Sequence, residues 1–379
     1  MGVIHAGQSA PREGLRQVDW ATVGVVALIC VAGVLAIKSA RHADLHPLDL
    51  VRRQAVGVAL GLGVMLGLAV SDYALVLKRV ARYLYPVNLV LLTVVLVGHI
   101  GHASHGAQRW ISLGPVQLQP SEFAKILLIC TLALFLVRHG ETIGTWPTLL
   151  HSLGHIGVPM LLIALQPDLG TALVLLAIWV GMTAMAGARP AHLLLVLLAG
   201  AALFGTLWHF GIAIKDYQKN RLEVFLNPDA DPRDAGYHLR QSEIAIGSGQ
   251  ISGEGYGRGA QAGGKFIPEQ HTDFIFTIVG EEGGFLGCLV LLALYLFVLM
   301  RGVFAIADCE DLLGRLLATG VLSLLTFHIV VNVGMTMGIM PVVGVPLPFF
   351  SYGLSSLLVN LAAVGLLLSI AARKRRVMF

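Results

Sequence analysis

The chain has 379 residues, of which 56% are hydrophobic and only 13% are charged. A soluble domain of this size carries about a quarter charged residues, so the composition excludes an ordinary soluble domain and indicates a membrane protein. The formal net charge is only +4. Because the basic residues lie at the ends of apolar runs, we interpret them as determinants of membrane topology rather than of nucleic-acid binding. The four cysteines lie in or beside apolar runs, which favours buried thiols over disulfides or a metal cluster.

Ten apolar runs are long enough to cross a bilayer, whose core requires about 20 helical residues. They predict an all-α polytopic membrane protein with spans near 20–38, 54–71, 82–100, 120–138, 149–166, 169–187, 190–210, 274–300, 313–337 and 353–372. The first run lacks a convincing cleavage site, so we expect a retained signal anchor. The division of 149–187 depends on the polar break at 166–168, where a proline resists continuation of the helix.

Lysine and arginine in the short loops orient the spans, because cytoplasmic loops are enriched in both. With the N-terminus inside, thirteen basic residues fall on the cytoplasmic side and six on the outer side, while seven lie in the one long loop. Both termini are therefore predicted to be cytoplasmic. The long hydrophilic stretch 211–273 becomes a large extracytoplasmic loop between spans 7 and 8. We expect residues 1–379 to form a single membrane domain.

Ionisable groups in or beside apolar spans are energetically costly, so each is a functional candidate. These candidates are Arg53, Arg109, Glu122, Lys125, Asp168, Asp273, Glu281 and Glu282. The charge rule places segments 119–125, 166–171, 211–273 and 341–356 on the outer side, which favours a single site at that face. Glu281 and Glu282 fall inside the eighth span, and we expect them to face the bundle interior or a wet cavity.

The segment 268–273 (PEQHTD) joins the long loop to the eighth span and holds Glu269, His271 and Asp273. One explanation is that Thr272 or Asp273 only caps the following helix, which is worth about 1 kcal/mol. The other is that a partly desolvated carboxylate at the membrane surface acts as a general base. A cap needs one such side chain rather than three, which favours the second explanation.

The segment 119–125 begins with a proline suited to the first turn of a helix. Glu122 and Lys125 then follow at i and i+3 on one helix face, which permits a local ion pair. Equally, Lys125 could meet an anionic substrate while Glu122 orients it. Asp168 also has two explanations, as a helix cap or as a catalytic carboxylate.

The segment 247–264 contains eight glycines. Glycine lets backbone N–H groups approach a ligand closely, so this segment could cradle a phosphate. It could equally be a flexible connector. Arg258 and Lys265 in or beside it favour an anionic ligand.

These motifs together resemble those of the SEDS family (shape, elongation, division and sporulation). The resemblance is carried, in order, by residues 119–122 (QPSE), 166–171 (QPDLGT), 245–249 (AIGSG), 268–276 (PEQHTDFIF) and 346–353 (PLPFFSYG). It runs from the first span to the last. Residues 216–228 and 332–335 are more similar to the RodA branch of the family than to the FtsW branch. The sequence departs from the family pattern at Gln270, Gly283 and Leu354, which leaves Asp273 untouched.

The resemblance implies a peptidoglycan glycosyltransferase that polymerises lipid II on the outer face of the cytoplasmic membrane. It implies that Asp273 is the essential catalytic residue and that Glu122 and Lys125 line the same cavity. In our hypothesis Asp273 takes the proton from the 4-hydroxyl of the acceptor sugar. The leaving undecaprenyl pyrophosphate then requires fixed cations or a divalent metal such as Mg²⁺ or Mn²⁺.

Candidate cations for the leaving group are Lys125, Arg109 and Arg53, and we expect Glu269 and His271 to contact substrate beside Asp273. The resemblance also implies a class B penicillin-binding protein, a transpeptidase, as partner, together with other membrane proteins of the elongation complex.

Two other functions stay open on the residues alone. Ten spans with buried carboxylates also suit a transporter or lipid flippase, although such sites lie near the bilayer midplane between inverted repeats, and no repeat is visible. A non-catalytic scaffold for a cell-wall synthase would explain interactions, but not a base and cations at one face.

Overall fold

A computed structural model describes residues 17–40, 47–97, 101–104, 107–113, 116–210, 216–227, 231, 235–261, 267 and 270–373. This part of the chain is mainly helical, which confirms the predicted fold class. Within it, nine helices are long and apolar enough to cross a membrane, and one shorter apolar helix, Leu169–Met185, accompanies them.

The helices occur in the following order along the chain. They are α1 (Trp20–Ala40), α2 (Pro47–Val70), α3 (Tyr73–Val97), α4 (Pro120–His139), α5 (Trp146–Leu165), α6 (Leu169–Met185), α7 (Pro190–Phe210), α8 (Asp216–Leu226), α9 (Ala235–Ser248), α10 (Ile275–Ala307), α11 (Leu312–Thr336) and α12 (Leu354–Ala372). A 3-10 turn, Gly140–Thr142, joins α4 to α5. The polar helices α8 and α9 belong to the long loop.

Two spans begin earlier than the apolar runs predict. Helix α2 starts at Pro47 rather than near residue 54, and α3 starts at Tyr73 rather than near residue 82. The second turns of both helices carry basic side chains, Arg52 and Arg53 in α2 and Lys78 and Arg79 in α3. Their long aliphatic stems allow the charge to reach the interface while the backbone stays helical. The predicted division of 149–187 is confirmed, since α5 ends at Leu165 and α6 begins at Leu169.

A small antiparallel sheet, which the apolar runs did not predict, connects α3 to α4. Its strands are β1 (Gly101–Ser104), β2 (Ala107–Leu113) and β3 (Val116–Leu118), in the order β1-β2-β3. Ile111 of β2 is paired with Gly101 on one side and with Leu118 on the other. The sheet places Arg109 at the end of the bundle where α4 begins.

The core lies around α4, α11 and α12. In the apolar stretch of each helix, 67% of the residues of α4 and of α11 and 72% of those of α12 are buried, against 6% for α7. The proline-rich loop between α11 and α12 returns into this core, with Val345, Leu347 and Phe349 at most 2% exposed. Gly33 of α1 permits this return, because a β-carbon there would lie 2.6 Å from the carbonyl oxygen of Phe350.

The described part of the glycine-rich segment packs against α10, so it is neither a free connector nor an open cradle. The N–H groups of Glu254 and Gly255 donate to the carbonyls of Glu281 (2.9 Å) and Glu282 (3.1 Å). Gly284, whose φ of 61° is not helical, kinks α10 at this point. These backbone donors are therefore already bonded to protein. Lys265 lies outside the described residues.

Tyr256 connects the same segment to α1 through a hydrogen bond from its hydroxyl to the carbonyl of Leu35 (3.0 Å). Burial, and secondarily the charge of Glu282, raises the pKa of Tyr256, so its hydroxyl keeps its proton and remains a donor.

Polar contacts also close the opposite end of the bundle. Arg301 and Asp19 form an ion pair at 2.6 Å. Burial alone would raise the pKa of Asp19, but hydrogen bonds from Thr22 and Arg301 outweigh it and lower that pKa. All four cysteines are free thiols; Cys30 and Cys130 are buried, as expected, whereas Cys288 and Cys309 are only partly buried. Burial, followed by the contact with Asp311, raises the pKa of Cys309 to about 12, which leaves this thiol protonated at neutral pH.

Candidate active site

The segment 270–273 is held by the proline-rich loop that precedes α12. The N–H of Tyr352 donates to the carbonyl of His271 (2.9 Å), and Ser351 Oγ donates to the carbonyl of Thr272 (2.7 Å). The His271 and Tyr352 rings lie 5.5 Å apart at a tilt of 49°. The proline-rich loop therefore packs against the end of the long loop.

Asp273 is half-buried just before α10, and its carbonyl accepts a hydrogen bond from Asn332 Nδ2 (2.9 Å). Phe274 occupies the N-cap position of α10 and makes no side-chain capping hydrogen bond, so neither Thr272 nor Asp273 is the N-cap residue. The capping explanation for Thr272 and Asp273 is therefore wrong. The carboxylate faces Gly344, where a β-carbon would lie 3.3 Å from Asp273 Oδ2. Gly344 has a φ of 73°, which favours glycine as well.

Arg221 of α8 comes to the same place from the long loop. Its Nη1 atom would lie 3.8 Å from that β-carbon on Gly344, so a guanidinium and the Asp273 carboxylate meet above one glycine. Arg221 could not be recognised as a site residue from the sequence, because 52 positions separate it from Asp273 and its motif carries no local pairing signal.

Lys125 is the centre of a buried polar chain at the start of α4. Its Nζ lies 2.7 Å from Glu122 Oε1 and 3.2 Å from His328 Nε2. His328 Nδ1 in turn lies 3.0 Å from the carbonyl oxygen of Pro346. Since a carbonyl can only accept, we assign the His328 proton to Nδ1, and Nε2 accepts from the Lys125 ammonium.

Helix α11 joins this chain to Asp273, because His328 and Asn332 lie one turn apart on the same face. Asn332 Nδ2 donates both to the carbonyl of Val345 (2.7 Å) and to that of Asp273. His328 contacts Pro346, and Asn332 contacts the adjacent Val345 as well as Asp273. These hydrogen bonds therefore connect Lys125 to Asp273 through two neighbouring residues of the proline-rich loop. His328 is a site residue absent from the sequence-based candidates, although an ionisable group in an apolar span is a signal that could have identified it.

The Glu122–Lys125 pair is almost fully enclosed, with Glu122 only 4% and Lys125 only 1% exposed. This confirms the local ion pair as one of the two explanations offered for these residues. Glu122 Oε2 is buried without a hydrogen-bond partner. Such an atom is costly in a purely structural pair and is consistent with a group that exchanges partners. Substrate binding by Glu122 and Lys125 stays a prediction.

Asp168 is the N-cap of α6, as one of the two explanations predicted, and accepts from the N–H of Thr171 (3.2 Å). It also accepts from Ser121 Oγ (3.2 Å) and Gln119 Nε2 (3.1 Å), which ties α6 to the start of α4. Its carboxylate therefore has a structural role in the cluster beside Lys125.

Arg109 of β2 is bound to the turn between α5 and α6. Its Nε donates to the carbonyl of Gln166 (2.8 Å) and its Nη2 to the carbonyl of Pro167. These contacts hold the sheet against the bundle. Contact between Arg109 and the leaving pyrophosphate stays a prediction.

Glu281 and Glu282 face the interior, as expected. Glu281 is fully buried and Oε1 accepts from the N–H of Gln261 (2.6 Å). Glu282 accepts from Ser39 Oγ of α1. Both carboxylates thus stabilise the contact between α10 and its neighbours, away from the Lys125 chain.

Comparison with known proteins identifies the family that this arrangement serves. The family model described as FtsW/RodA/SpoVE cell cycle protein matches residues 16–376. The chain belongs to this family. The match spans every helix described above and therefore confirms the resemblance that the sequence motifs suggested.

Relatives and solved structures support the family assignment over nearly the whole chain. The chain is 39% identical over 355 residues to the peptidoglycan glycosyltransferase MrdB of Escherichia coli K12, covering 93% of this chain and 92% of the relative. RodA of Thermus thermophilus has a crystal structure that is 32% identical with a TM-score of 0.68, covering 95% and 98% of the two chains. A chain of a peptidoglycan synthase complex, described as coordinating polymerisation and crosslinking, is 35% identical with a TM-score of 0.80, covering 95% and 99%.

Two further site residues were predicted, Arg53 and Glu269, and the first of them lies apart from the Lys125 chain. Arg53 is exposed on α2, next to Gln54, whose Nε2 donates to the carbonyl of Ser351 (3.1 Å). Arg53 therefore stands close in sequence to a side chain that contacts the proline-rich loop. Glu269 lies outside the described residues.

The described residues contain no group of three or more His, Cys, Asp or Glu side chains that could hold a metal ion. Because Mg²⁺ commonly binds through one or two carboxylates together with substrate phosphates, a divalent metal that arrives with the substrate stays a prediction.

Proposed function

We propose that this protein is a peptidoglycan glycosyltransferase that polymerises lipid II into β-1,4-linked glycan strands. Residues 1–379 would act as a single membrane domain. The family membership and the name of the Escherichia coli relative, which is matched over nine tenths of both chains, support the proposal. Relatives named RodA and FtsW are both 36% identical to this chain, so the further proposal of a role in elongation depends on its RodA-like residues 216–228 and 332–335.

The observation that carries the mechanism is the position of Asp273 at the junction of three elements. Its carboxylate lies between the long loop, the start of α10 and Gly344 of the proline-rich loop, while Asn332 holds its backbone. A half-buried carboxylate fixed in this way suits a general base, which must meet the acceptor hydroxyl at hydrogen-bond distance.

In the proposed reaction Asp273 accepts the proton of the 4-hydroxyl of the acceptor sugar. The oxygen forms a bond to the anomeric carbon of the lipid-linked donor as the bond from that carbon to the pyrophosphate oxygen breaks. Attack from the face opposite the leaving group inverts the α-linked donor into a β-1,4 linkage. The electron pair leaves with undecaprenyl pyrophosphate.

Stabilising the negative charge on that leaving group requires fixed cations. We assign this work to Lys125, with Arg109 and Arg53 as further candidates at the same end of the bundle. His271 and Glu269 flank Asp273 and would contact the sugars. Arg221 adds a positive charge beside the carboxylate, at the side where the long loop covers it.

We further propose that Asp273 faces the outside of the bacterial cytoplasmic membrane and that both termini are cytoplasmic. The charge distribution of the short loops supports this orientation. A class B penicillin-binding protein is the proposed transpeptidase partner, because the similar solved chain belongs to a complex that coordinates polymerisation and crosslinking.

The decisive experiment measures polymerisation of purified lipid II by the purified protein and by its Asp273→Asn variant. Loss of a general base should lower the rate by about 10²–10⁴-fold, while the variant elutes as a folded monodisperse protein. Glu223→Gln, which changes an exposed acid of the same loop, is the matched control and should keep wild-type activity.

Adding the transpeptidase, and Mg²⁺ or Mn²⁺, in separate arms separates missing activation from missing catalysis. Polymer at the wild-type level from the Asp273→Asn variant would refute the assignment of the base. If wild-type protein makes no polymer in any arm but moves lipid II across vesicle membranes, a flippase is the function instead. A protein that does neither but still binds and activates the transpeptidase would be a scaffold.

A further inference from the structure

A cavity of about 500 Å³ opens between α3, α4 and α5 at the end of the bundle opposite Asp273. Its wall is formed by Tyr85, Phe135, His139, Thr148, His151, Gly154 and His155. The N–H of Gln119, at the start of α4, donates to Ser355 Oγ near the start of α12 (3.0 Å), close to the candidate active site. Helix α4 therefore runs from that site to His139 at the other membrane face.

Three imidazoles converge on this cavity from two helices. Thr148, His151 and His155 follow one another at i, i+3 and i+7 and so lie on one face of α5, while His139 ends α4. Histidines within membrane spans are rare, and they mark a functional site more often than a structural one. The proposed glycosyl transfer uses none of these three.

Aromatic rings hold two of these imidazoles in place. His155 stacks on Tyr85 with ring centroids 4.3 Å apart, and Phe135 stacks on His139 at 4.5 Å. His139 Nδ1 lies 2.9 Å from the carbonyl of Phe135, which assigns the proton to Nδ1 and turns Nε2 outward. His151 is exposed, so it offers hydrogen-bonding nitrogen atoms at the mouth of the cavity.

Two arginines and one exposed acid, Glu141, lie near the cavity. None of its lining residues is acidic. Arg82 lies one turn from Tyr85 toward the same membrane face, Arg138 directly precedes His139, and both are exposed. The described residues hold no cluster of three metal-ligating side chains, so the imidazoles are not arranged around a metal ion. Their hydrogen-bonding nitrogens and the nearby guanidinium groups instead suit a phosphate.

We propose that this cavity binds the phosphate headgroup of an anionic phospholipid from the leaflet opposite Asp273, with His151 and a doubly protonated His139, which donates through Nε2, as its hydrogen-bond donors. Basic pockets between helices on the cytoplasmic side are a recognised form of lipid-headgroup site. The depth also fits, since Thr148 and His151 lie about 3–8 Å from the start of α5, within reach of the headgroup and glycerol region. Phe135 and Tyr85 supply an apolar wall for the glycerol and the first part of the acyl chains.

The test is native mass spectrometry of delipidated protein titrated with phosphatidylglycerol, phosphatidylcholine or inorganic phosphate. Wild-type protein should show one saturable site that prefers phosphatidylglycerol. His139→Ala and His151→Ala should each weaken this site about tenfold, the effect of losing one hydrogen bond to a charged group. His209→Ala changes an exposed histidine at the far end of α7 and should leave the site unchanged.

A steric pair of variants tests the cavity without removing a histidine. A β-carbon on Gly154 or on Gly157 meets nothing within 4 Å, so a side chain can begin at both positions without a clash. Gly154 lines the cavity and Gly157 does not. Gly154→Leu should therefore abolish the saturable site while Gly157→Leu keeps it. Equal lipid binding by all variants, no preference for the anionic lipid, or equally tight binding of inorganic phosphate would each overturn the proposal.

Discussion

At the scale of single residues, the Glu122–Lys125 pair provides a test of structure against substrate binding. Both side chains are buried, and removing one partner leaves an uncompensated charge in the bundle. Lys125→Met should therefore destabilise the protein by about 3–5 kcal/mol. The double variant Lys125→Met with Glu122→Gln removes both charges and should recover most of that stability.

The comparison is made by heating each variant and following the folded fraction by size-exclusion chromatography, with lipid II polymerisation measured below the unfolding temperature. We expect the double variant to be folded but to lack most of the activity, because the leaving pyrophosphate has lost its cation. Recovery of activity together with stability would show that the pair is only structural.

Asn332 is predicted to position Asp273 without contacting the substrate. Its amide holds two carbonyls, those of Asp273 and Val345, on opposite sides of the site. Asn332→Ala should release the segment before α10 and lower kcat by about 10–10² -fold, the range expected when a catalytic group is displaced by about 1 Å. Asn360→Ala is the matched control, because Asn360 is equally buried but donates only to Ser356 within α12.

Both variants are compared by kcat, KM and unfolding temperature. A positioning role predicts that Asn332→Ala loses kcat with little change in KM, while Asn360→Ala loses only stability. If the two variants lose activity in proportion to stability alone, Asn332 does not position the base.

A site residue can be predicted from the sequence when the pattern that identifies it lies within a few neighbouring positions. Asp273 was identifiable because three titratable groups precede an apolar span, and the Glu122–Lys125 pair because its spacing is i, i+3. His328 reaches Lys125 across 203 positions, and only the packing of α11 against α4 brings them together. Capping was misassigned at Thr272 and Asp273 because the exact first residue of a helix is set by its tertiary contacts.

At the scale of elements, the contact between the glycine-rich segment and α10 is predicted to tolerate no side chain at Gly249. A β-carbon there would overlap the carbonyl oxygen of Gly280, which is fixed backbone. Gly249→Ala should thus cost about 1–3 kcal/mol and loosen the long loop. At Gly247, two residues earlier, a β-carbon meets nothing within 4 Å, and alanine should be neutral or slightly stabilising.

Limited proteolysis of the long loop, together with thermal unfolding, measures the difference between these two variants. Faster cleavage of Gly249→Ala than of Gly247→Ala is expected. Similar cleavage and similar unfolding temperatures would mean that the segment is not held by its backbone contacts with α10.

The apolar spans were predictable because burying about 20 residues in lipid imposes a composition that can be recognised without tertiary information. The sheet of β1, β2 and β3 was not, since its short polar strands are stabilised by pairing rather than by an apolar pattern. The glycines of 247–261 were assigned to a ligand or to flexibility because a sequence does not show which backbone approaches which.

At the scale of the whole molecule, the two faces of the bundle differ in chemistry. One face has Asp273, the Lys125 chain and the proline-rich loop, and the other has the histidine cavity and the Asp19–Arg301 pair. The order of the helices determines which groups lie at the same face of the membrane. Contacts between residues do not determine which of the two faces is extracytoplasmic. Only the basic residues of the short loops bear on that question.

Cysteine labelling in cells would decide the orientation. In a background with the four native cysteines replaced by alanine, Ser252→Cys exposes a thiol in the long loop, and Glu141→Cys exposes one in the turn between α4 and α5. A membrane-impermeant maleimide should label Ser252→Cys in intact spheroplasts and Glu141→Cys only after permeabilisation, because a charged reagent does not cross the bilayer. The opposite pattern would place Asp273 in the cytoplasm, where a polymerase of exported lipid II could not meet its substrate, and would contradict the proposed orientation and function together.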